Sequence, residues 1–181
     1  MVLFDTSIVV LVLQPDALAP TDPLTGRPVT RCKDRVEHLI KTCSAAKSTI
    51  LIPTPVLAEF LVKAGPKKQD YLNRFTSSKN FQIATFDQRA AVELSLLTDP
   101  DLQSGKPMSE MVTKAKIKFD RQIVAIAKVS GVDMIYTGDD GLASCARKNG
   151  IRASMTWEIP LPPDDPQQGL FNGEEVPETK P

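Results

Sequence analysis

Cysteine and histidine are scarce in this sequence of 181 residues. There are three cysteines and one histidine, and no two cysteines have the CxxC spacing. An odd, sparse set of cysteines argues against a disulfide framework or a zinc site and favours reduced thiols in a cytoplasm. We therefore expect Cys32, Cys43 and Cys145 to be small buried hydrophobic residues.

Long apolar runs are also missing. The first apolar run stops at Asp5 and no basic residue precedes it, so we expect no signal peptide. No other run is long enough to cross a membrane. With 41% hydrophobic and 24% charged residues, the composition is ordinary for a globular protein large enough to bury a core. The sequence predicts a cytoplasmic protein with no membrane partner.

The net charge is zero, but the charges are unevenly distributed. Residues 158–181 carry six acids and one base, so this proline-rich segment has a charge of −5 and residues 1–157 have +5. We expect a folded domain over residues 1–157 and an extended acidic tail over 158–181. A mildly basic domain permits nucleic-acid binding without demanding it.

Short apolar runs alternate with helical patterns along the whole domain. The runs are predicted strands, at 2–4, 49–52, 81–84, 134–137 and 151–155, and the helices are predicted at 6–13, 31–46, 54–64, 67–76, 88–97, 109–130 and 140–149. The segment 14–30 holds four prolines and predicts an irregular surface insertion. The alternation predicts a three-layer α/β sandwich, with a central parallel sheet of about five strands and helices on both faces.

Four acidic residues stand out against this pattern. Asp5 and Asp139 each follow a predicted strand, where open parallel sheets bind their ligands. Glu59 and Asp120 interrupt apolar helical stretches, and a carboxylate among apolar neighbours needs a partner. Carboxylates without partnering histidines suit a hard cation such as Mg²⁺ or Mn²⁺. Such a cation in an open acidic pocket points to phosphodiester chemistry.

Each acid also has a simpler interpretation when taken alone. Asp5 could cap the helix that follows it, and either Asp139 or Asp140 could cap the helix that begins nearby. A negative charge at Glu59 suits the first turn of a helix. Asp120 could form an ordinary surface ion pair with Lys116, four residues earlier. Two acids at strand ends and two on inward-looking helices are harder to explain as coincidence.

Four segments, in order along the chain, resemble the acidic motifs of PIN-domain ribonucleases, and especially those of VapC-type toxins of toxin–antitoxin pairs. They are Phe4-Asp5-Thr6-Ser7, Leu57-Ala58-Glu59-Phe60, Phe119-Asp120-Arg121-Gln122-Ile123-Val124-Ala125-Ile126-Ala127 and Thr137-Gly138-Asp139-Asp140-Gly141-Leu142. The resemblance runs from residue 2 to about 155 and implies a PIN-like fold for residues 1–157.

The resemblance also implies a site and an activity. Asp5, Glu59, Asp120 and Asp139 would be the catalytic residues and would hold one or two Mg²⁺ or Mn²⁺ ions. Thr6 or Ser7, and Thr137, would support them. The spacing from Thr137 selects Asp139 as the fourth acid, so Asp140 would lie at or near the start of the following helix, in a mostly structural role. The chain would be a metal-dependent endoribonuclease that uses a metal-activated water. Its partners would be an RNA substrate, a possible cognate antitoxin and a second copy in a homodimer.

Two features depart from the short toxins, and two other functions remain to be considered. The insertion at 14–30 and the tail after 157 are extra, and with them the resemblance does not determine which surface would bind an antitoxin.

A haloacid-dehalogenase-like phosphatase needs Asp-x-Asp after its first strand, where this chain has Ser7. No P-loop or GxGxxG follows a strand. A PIN-like module that binds RNA or protein without cutting is the remaining alternative, although all four acids are present. Nothing in the sequence places His38, the only histidine, near the acids, so we expect it at the surface or boundary and not in catalysis.

Overall fold

The computed structural model describes residues 1–14, 16–97 and 114–163, with only the backbone at 114 and 115. Within these residues there are five strands, β1 (Val2–Phe4), β2 (Ile50–Pro53), β3 (Phe81–Ala84), β4 (Met134–Thr137) and β5 (Arg152–Met155). There are seven α-helices, α1 (Thr6–Leu13), α2 (Cys32–Ala45), α3 (Thr54–Lys63), α4 (Lys68–Ser77), α5 (Gln88–Leu96), α6 (Lys114–Val129) and α7 (Asp140–Lys148). Short 3₁₀ turns lie at Gly65–Lys67 and Thr156–Glu158.

All five strands form one parallel sheet in the order β3-β2-β1-β4-β5. β2 is buried along its whole length, as expected for a parallel strand covered on both faces. From β1 the chain adds β2 and β3 on one side and later β4 and β5 on the other. The helices contact one another mainly within two groups, α1–α4 and α5–α7, as expected if right-handed crossovers put one group on each face of the sheet. The adjacent ends of β1 and β4 form the switch point of the sheet.

Aromatic residues are few, but most of them meet in one part of the core. Edge-to-face contacts join Phe4 to Phe81 and Tyr136, and Phe81 to Phe75. Phe75 contacts Phe60, which also contacts Tyr71. This chain of rings ties β1, β3 and β4 to α3 and α4. It places α3, which carries Glu59, firmly against the sheet.

The predicted fold class is confirmed, and each predicted strand lies within one residue of an observed one. The helix predicted at 109–130 is observed from Lys114, because residues 98–113 lie outside the described part. The insertion is irregular apart from a bridge between Thr21 and Pro28. Cys32 and Cys43 are buried and Cys145 is half-buried, and none forms a disulfide.

The end of the described chain packs onto the domain. Ile159, two residues beyond the predicted domain boundary, has no exposed surface and belongs to the core. Most of the predicted acidic tail, residues 164–181, lies outside the described residues. Among the described helices, none combines the length and the apolar character needed to span a membrane.

Candidate active site

A pocket of about 650 Å³ opens at the switch point of the sheet. The structure brings all four predicted acids into its lining, each from a different place in the fold. Two follow β1 and β4, and two lie on α3 and α6; they are Asp5, Asp139, Glu59 and Asp120. Among the described residues, two lysines line the same pocket, so the ionised side chains described there carry a formal charge of −2. A concave site of this charge attracts cations.

Asp5 is the most buried of the four acids, with 8% of its surface exposed. It stands at the N-cap position of α1, but its carboxylate makes no capping hydrogen bond. Oδ2 of Asp5 instead accepts hydrogen bonds from Thr137 Oγ1 at 2.8 Å and Ser7 Oγ at 3.1 Å. Burial raises the pKa of Asp5 more than these hydrogen bonds lower it. The capping interpretation therefore does not account for this side chain.

Ser7 and Thr137 connect the ends of β1 and β4. Ser7 Oγ accepts a 2.8 Å hydrogen bond from the backbone N–H of Gly138, and Thr137 Oγ1 accepts one of 2.9 Å from the N–H of Asp139. A Cβ at Gly138 would lie only 3.3 Å from Ser7 Oγ, so the two segments approach too closely for a larger residue to fit without displacement. The two hydroxyls therefore fix Asp5 relative to the backbone of Asp139.

Glu59 lies at the rim of the pocket, and 46% of its side chain is exposed. Its oxygens accept from Thr6 Oγ1 at 2.6 Å and from Lys63 Nζ at 2.7 Å. Burial acts to raise the pKa of Glu59, but the hydrogen bonds from Lys63 and Thr6 outweigh it and leave the pKa lowered. The sequence predicted an inward-looking position for Glu59 among apolar neighbours. One of these neighbours, Val62, three residues further on, is 77% exposed, so that part of the prediction is wrong.

Asp120, like Asp5, has a raised pKa. It is half-buried on α6, beside the buried residues Ile123 and Val124. Burial raises the pKa of Asp120 to about 6, and the negative charge of Asp139 adds to this effect. No hydrogen bond within the described part of the chain reaches its carboxylate. Asp120 is therefore a carboxylate that an incoming cation would stabilise.

Asp139 is the cap of α7. Its Oδ1 accepts from the N–H groups of Gly141 at 2.7 Å and Leu142 at 3.3 Å, while Oδ2 lies 2.7 Å from Lys116 Nζ. Burial acts to raise the pKa of Asp139, but Lys116 and the two N–H groups lower it overall. Of the two acids that could cap this helix, Asp139 is the cap, and Asp140 is the exposed first residue of α7, outside the pocket.

The donor set has the right chemistry for Mg²⁺ or Mn²⁺, since it consists of carboxylate oxygens without histidine or cysteine. Among the described residues, however, no three acidic, cysteine or histidine side chains already lie together as a formed metal site. In this arrangement Lys63 contacts Glu59 and Lys116 contacts Asp139. The residues fit a hard cation if these two carboxylates turn from the lysines toward it.

Sequence reasoning missed several residues that line the pocket. Lys63 follows Glu59 by four residues, a spacing that could have predicted their pairing. Lys116 was considered only as a surface partner of Asp120, yet the ion pair observed joins it to Asp139. Leu18 and Pro20 bring the insertion to the pocket wall, and no sequence signal pointed to them.

No family model and no curated protein sequence matches this chain. Solved structures do match. A chain of FitAB bound to an IR36 DNA fragment superimposes with a TM-score of 0.54 and 18% identity, over 88% of this chain and 98% of that one. A chain of VapBC2 from Rickettsia felis, bound to a promoter DNA fragment, gives 0.55 and 19%, over 86% and 98%.

VapC20 from Mycobacterium tuberculosis, a toxin that cleaves the sarcin–ricin loop, gives a TM-score of 0.50 and 13% identity, over 80% of this chain and 94% of that one. At identities this low, the match concerns the backbone fold and not the chemistry of the site. The agreement spans nearly the full length of each solved chain. The resemblance inferred from the motifs is thus confirmed in the fold: this chain has the PIN-like α/β sandwich of VapC-type toxins.

Proposed function

We propose that this protein is a metal-dependent endoribonuclease. The observation that carries the proposal is the convergence of four carboxylates, from four separate elements, on one pocket at the switch point of a PIN-like fold. Two of them, Asp5 and Asp120, have raised pKa values because they are partly withdrawn from water. Keeping such groups together costs stability, which is typical of a functional site.

The side chains divide the work of such a site. Asp5, Glu59, Asp120 and Asp139 would hold Mg²⁺ or Mn²⁺, which when bound supplies an activated water and a clamp for the scissile phosphate. Thr137 and Ser7 hold Asp5 in place, and Thr6 holds Glu59. These hydroxyls fix the direction of the carboxylates before any ligand arrives. No nucleophilic side chain is needed.

The fold also supports a role as the toxin of a toxin–antitoxin pair. The solved chains that it resembles include members of FitAB and VapBC2 complexes bound to DNA. We propose an antitoxin as the protein partner, a homodimer as the assembly and the cytoplasm as the location. Co-expression with the product of a neighbouring small reading frame, followed by affinity purification, tests the partner. Recovery of this chain alone would contradict it.

Cleavage of defined single-stranded RNAs by the full chain, with Mn²⁺ and with EDTA, tests the activity. We expect cleavage only with metal, and at least a hundredfold slower cleavage by Asp120→Asn. Asp70→Asn is the matched control, since Asp70 lies on α4 outside the pocket. RNA binding by the wild type without cleavage under any metal would overturn the proposal in favour of a non-catalytic PIN-like module.

A further inference from the structure

Lys116 is one of two lysines that line the acidic pocket among the described residues. Its Nζ lies 2.7 Å from Asp139 Oδ2, and 46% of its side chain remains exposed. The charges of Asp120 and Asp5 act on it as well as that of Asp139, so its ammonium group lies within the field of three of the four carboxylates.

The other lysine of the pocket has a more local explanation. Lys63 contacts Glu59 from the next turn of the same helix, at the i,i+4 spacing that stabilises many exposed helices. Lys116 instead reaches from α6 to the cap of α7. The two backbone N–H groups that Asp139 caps both bond to its Oδ1, so the capping of α7 does not depend on the lysine, which contacts Oδ2.

Stability alone gives little reason for this contact. Ion pairs as exposed as the one between Lys116 and Asp139 contribute about 0–1 kcal/mol. The contact has a cost for a metal site, because an ammonium group on Asp139 competes with a divalent cation for the same oxygen. A lysine placed where it weakens cation binding calls for another role.

We propose that Lys116 is a substrate-contacting residue of this site: it neutralises Asp139 in the free protein and donates to a non-bridging phosphate oxygen of the bound RNA. The inference rests on the proposed function and adds to it a cationic group that the four acidic motifs do not include. An RNA phosphate entering a pocket of charge −2 is repelled by the carboxylates. A half-exposed ammonium on a flexible stem can turn from Asp139 to the incoming anion.

The proposal predicts effects of opposite sign on two measurements. Removing the ammonium in Lys116→Gln removes a competing cation, so Mn²⁺ should bind about threefold to tenfold more tightly. Removing the phosphate contact should slow RNA cleavage at saturating Mn²⁺ by about tenfold to a hundredfold. Lys116→Arg keeps the positive charge and should restore Mn²⁺ affinity to near the wild-type value and most of the cleavage rate.

Lys118→Gln is the matched control. Lys118 lies on the same helix, two residues further on, and does not line the pocket. We expect both of its measurements to equal those of the wild type. Mn²⁺ affinity is measured calorimetrically on the full chain without RNA. RNA affinity is measured by fluorescence anisotropy with a labelled 12-nucleotide RNA in Ca²⁺, and cleavage by gel assay.

Three outcomes separate the possibilities. If Lys116 only holds α6 to α7, Lys116→Gln should weaken Mn²⁺ binding and cleavage together, and the proposal is overturned. Unchanged Mn²⁺ affinity in Lys116→Gln overturns it as well. If the wild type cleaves no RNA, the proposed nuclease function fails instead. Lys116 is then judged by the Ca²⁺ binding assay, in which equal RNA affinity of Lys116→Gln and wild type overturns its phosphate contact.

Discussion

The hydroxyl group of Thr137 donates a 2.8 Å hydrogen bond to Oδ2 of Asp5, across 132 residues of sequence. Phe4 pairs with Tyr136 in the parallel register of β1 and β4, so the next residues along the two segments, Asp5 and Thr137, lie side by side. The same hydroxyl oxygen accepts the N–H of Asp139. A single buried side chain thus sets the distance between the acid after β1 and the backbone of the acid after β4.

The first prediction tests this bridge with Thr137→Val, which keeps the shape and removes the hydroxyl. It leaves a carboxylate oxygen of Asp5 and the N–H of Asp139 short of a partner, so the free energy of unfolding should fall by about 1–3 kcal/mol. Thr137→Ser keeps the hydroxyl, and its free energy of unfolding should fall by only about 1 kcal/mol. Urea denaturation at pH 7 compares the two variants with wild type. Equal stability of the two variants would contradict the bridging role.

The order of strands and helices was predictable because hydrophobic periodicity and the residues that begin or end an element are local features of the sequence. β2 is an apolar, β-branched run, and α3 begins beside Pro55, which suits the first turn of a helix. The meeting of Asp5 and Asp139 was predictable as well, because parallel strands place their carboxyl ends at one edge. Neither inference needs side-chain geometry.

The pairing of the charged groups was not predictable, because it depends on how helices from distant parts of the chain approach one another. Lys116 is four residues from Asp120, yet it contacts Asp139, since α6 packs against the start of α7. The choice of Asp139 over Asp140 as the cap rests on a difference of one residue in where α7 begins. Helix ends are uncertain from sequence by at least that much.

The second prediction concerns the pH dependence of stability in metal-free protein. The pKa of Asp120 is about 6 in the folded state and 3.8 ordinarily, so the folded form binds this proton more tightly. Ionised Asp120 therefore destabilises the fold above pH 6, and the penalty is relieved as the pH falls toward 5. Asp120→Asn should be more stable than wild type at pH 7.5, by on the order of 1–2 kcal/mol after solvent screening.

This difference should shrink at pH 5. The acids with lowered pKa values, Glu59 and Asp139, do not interfere, because their stabilisation is lost only below their ordinary values of 4.5 and 3.8. Urea denaturation of both proteins in EDTA at pH 5.0 and 7.5 gives the comparison. Asp70→Asn serves as the control. A constant difference between wild type and Asp120→Asn would mean that Asp120 is not the titrating group.

The third prediction separates Asp139 from Asp140. Asp139→Asn keeps an oxygen that can cap α7, so the melting temperature without metal should change by only a few degrees. It removes a charged oxygen from the pocket, so RNA cleavage should largely disappear, and the rise in melting temperature that we expect Mn²⁺ to cause in wild type should be lost. Asp140→Asn alters an exposed residue outside the pocket and should keep most activity. Inactivity of Asp140→Asn with activity of Asp139→Asn would move the site by one residue.

The fourth prediction uses Gly141, which lies between two of the acids. A Cβ at Gly141 would stand 3.0 Å from Asp139 Oδ1 and 3.3 Å from Asp120 Oδ2. Alanine is the better helix former by about 1 kcal/mol, so Gly141→Ala gains in α7 part of what it loses by crowding Asp139. We expect a change in unfolding free energy below about 1 kcal/mol. The displaced carboxylate should nevertheless lower the affinity for Mn²⁺.

Asp140→Ala is the matched control for Gly141→Ala, because it alters the neighbouring residue of α7 on the exposed surface. Melting temperatures of both variants and of wild type, with and without Mn²⁺, distinguish the effects. The rise with Mn²⁺ should be smaller in Gly141→Ala and unchanged in Asp140→Ala. The crowding should weaken Mn²⁺ binding only if both carboxylates must converge on the ion. A full Mn²⁺ response in Gly141→Ala would therefore show that Asp120 and Asp139 do not share a cation.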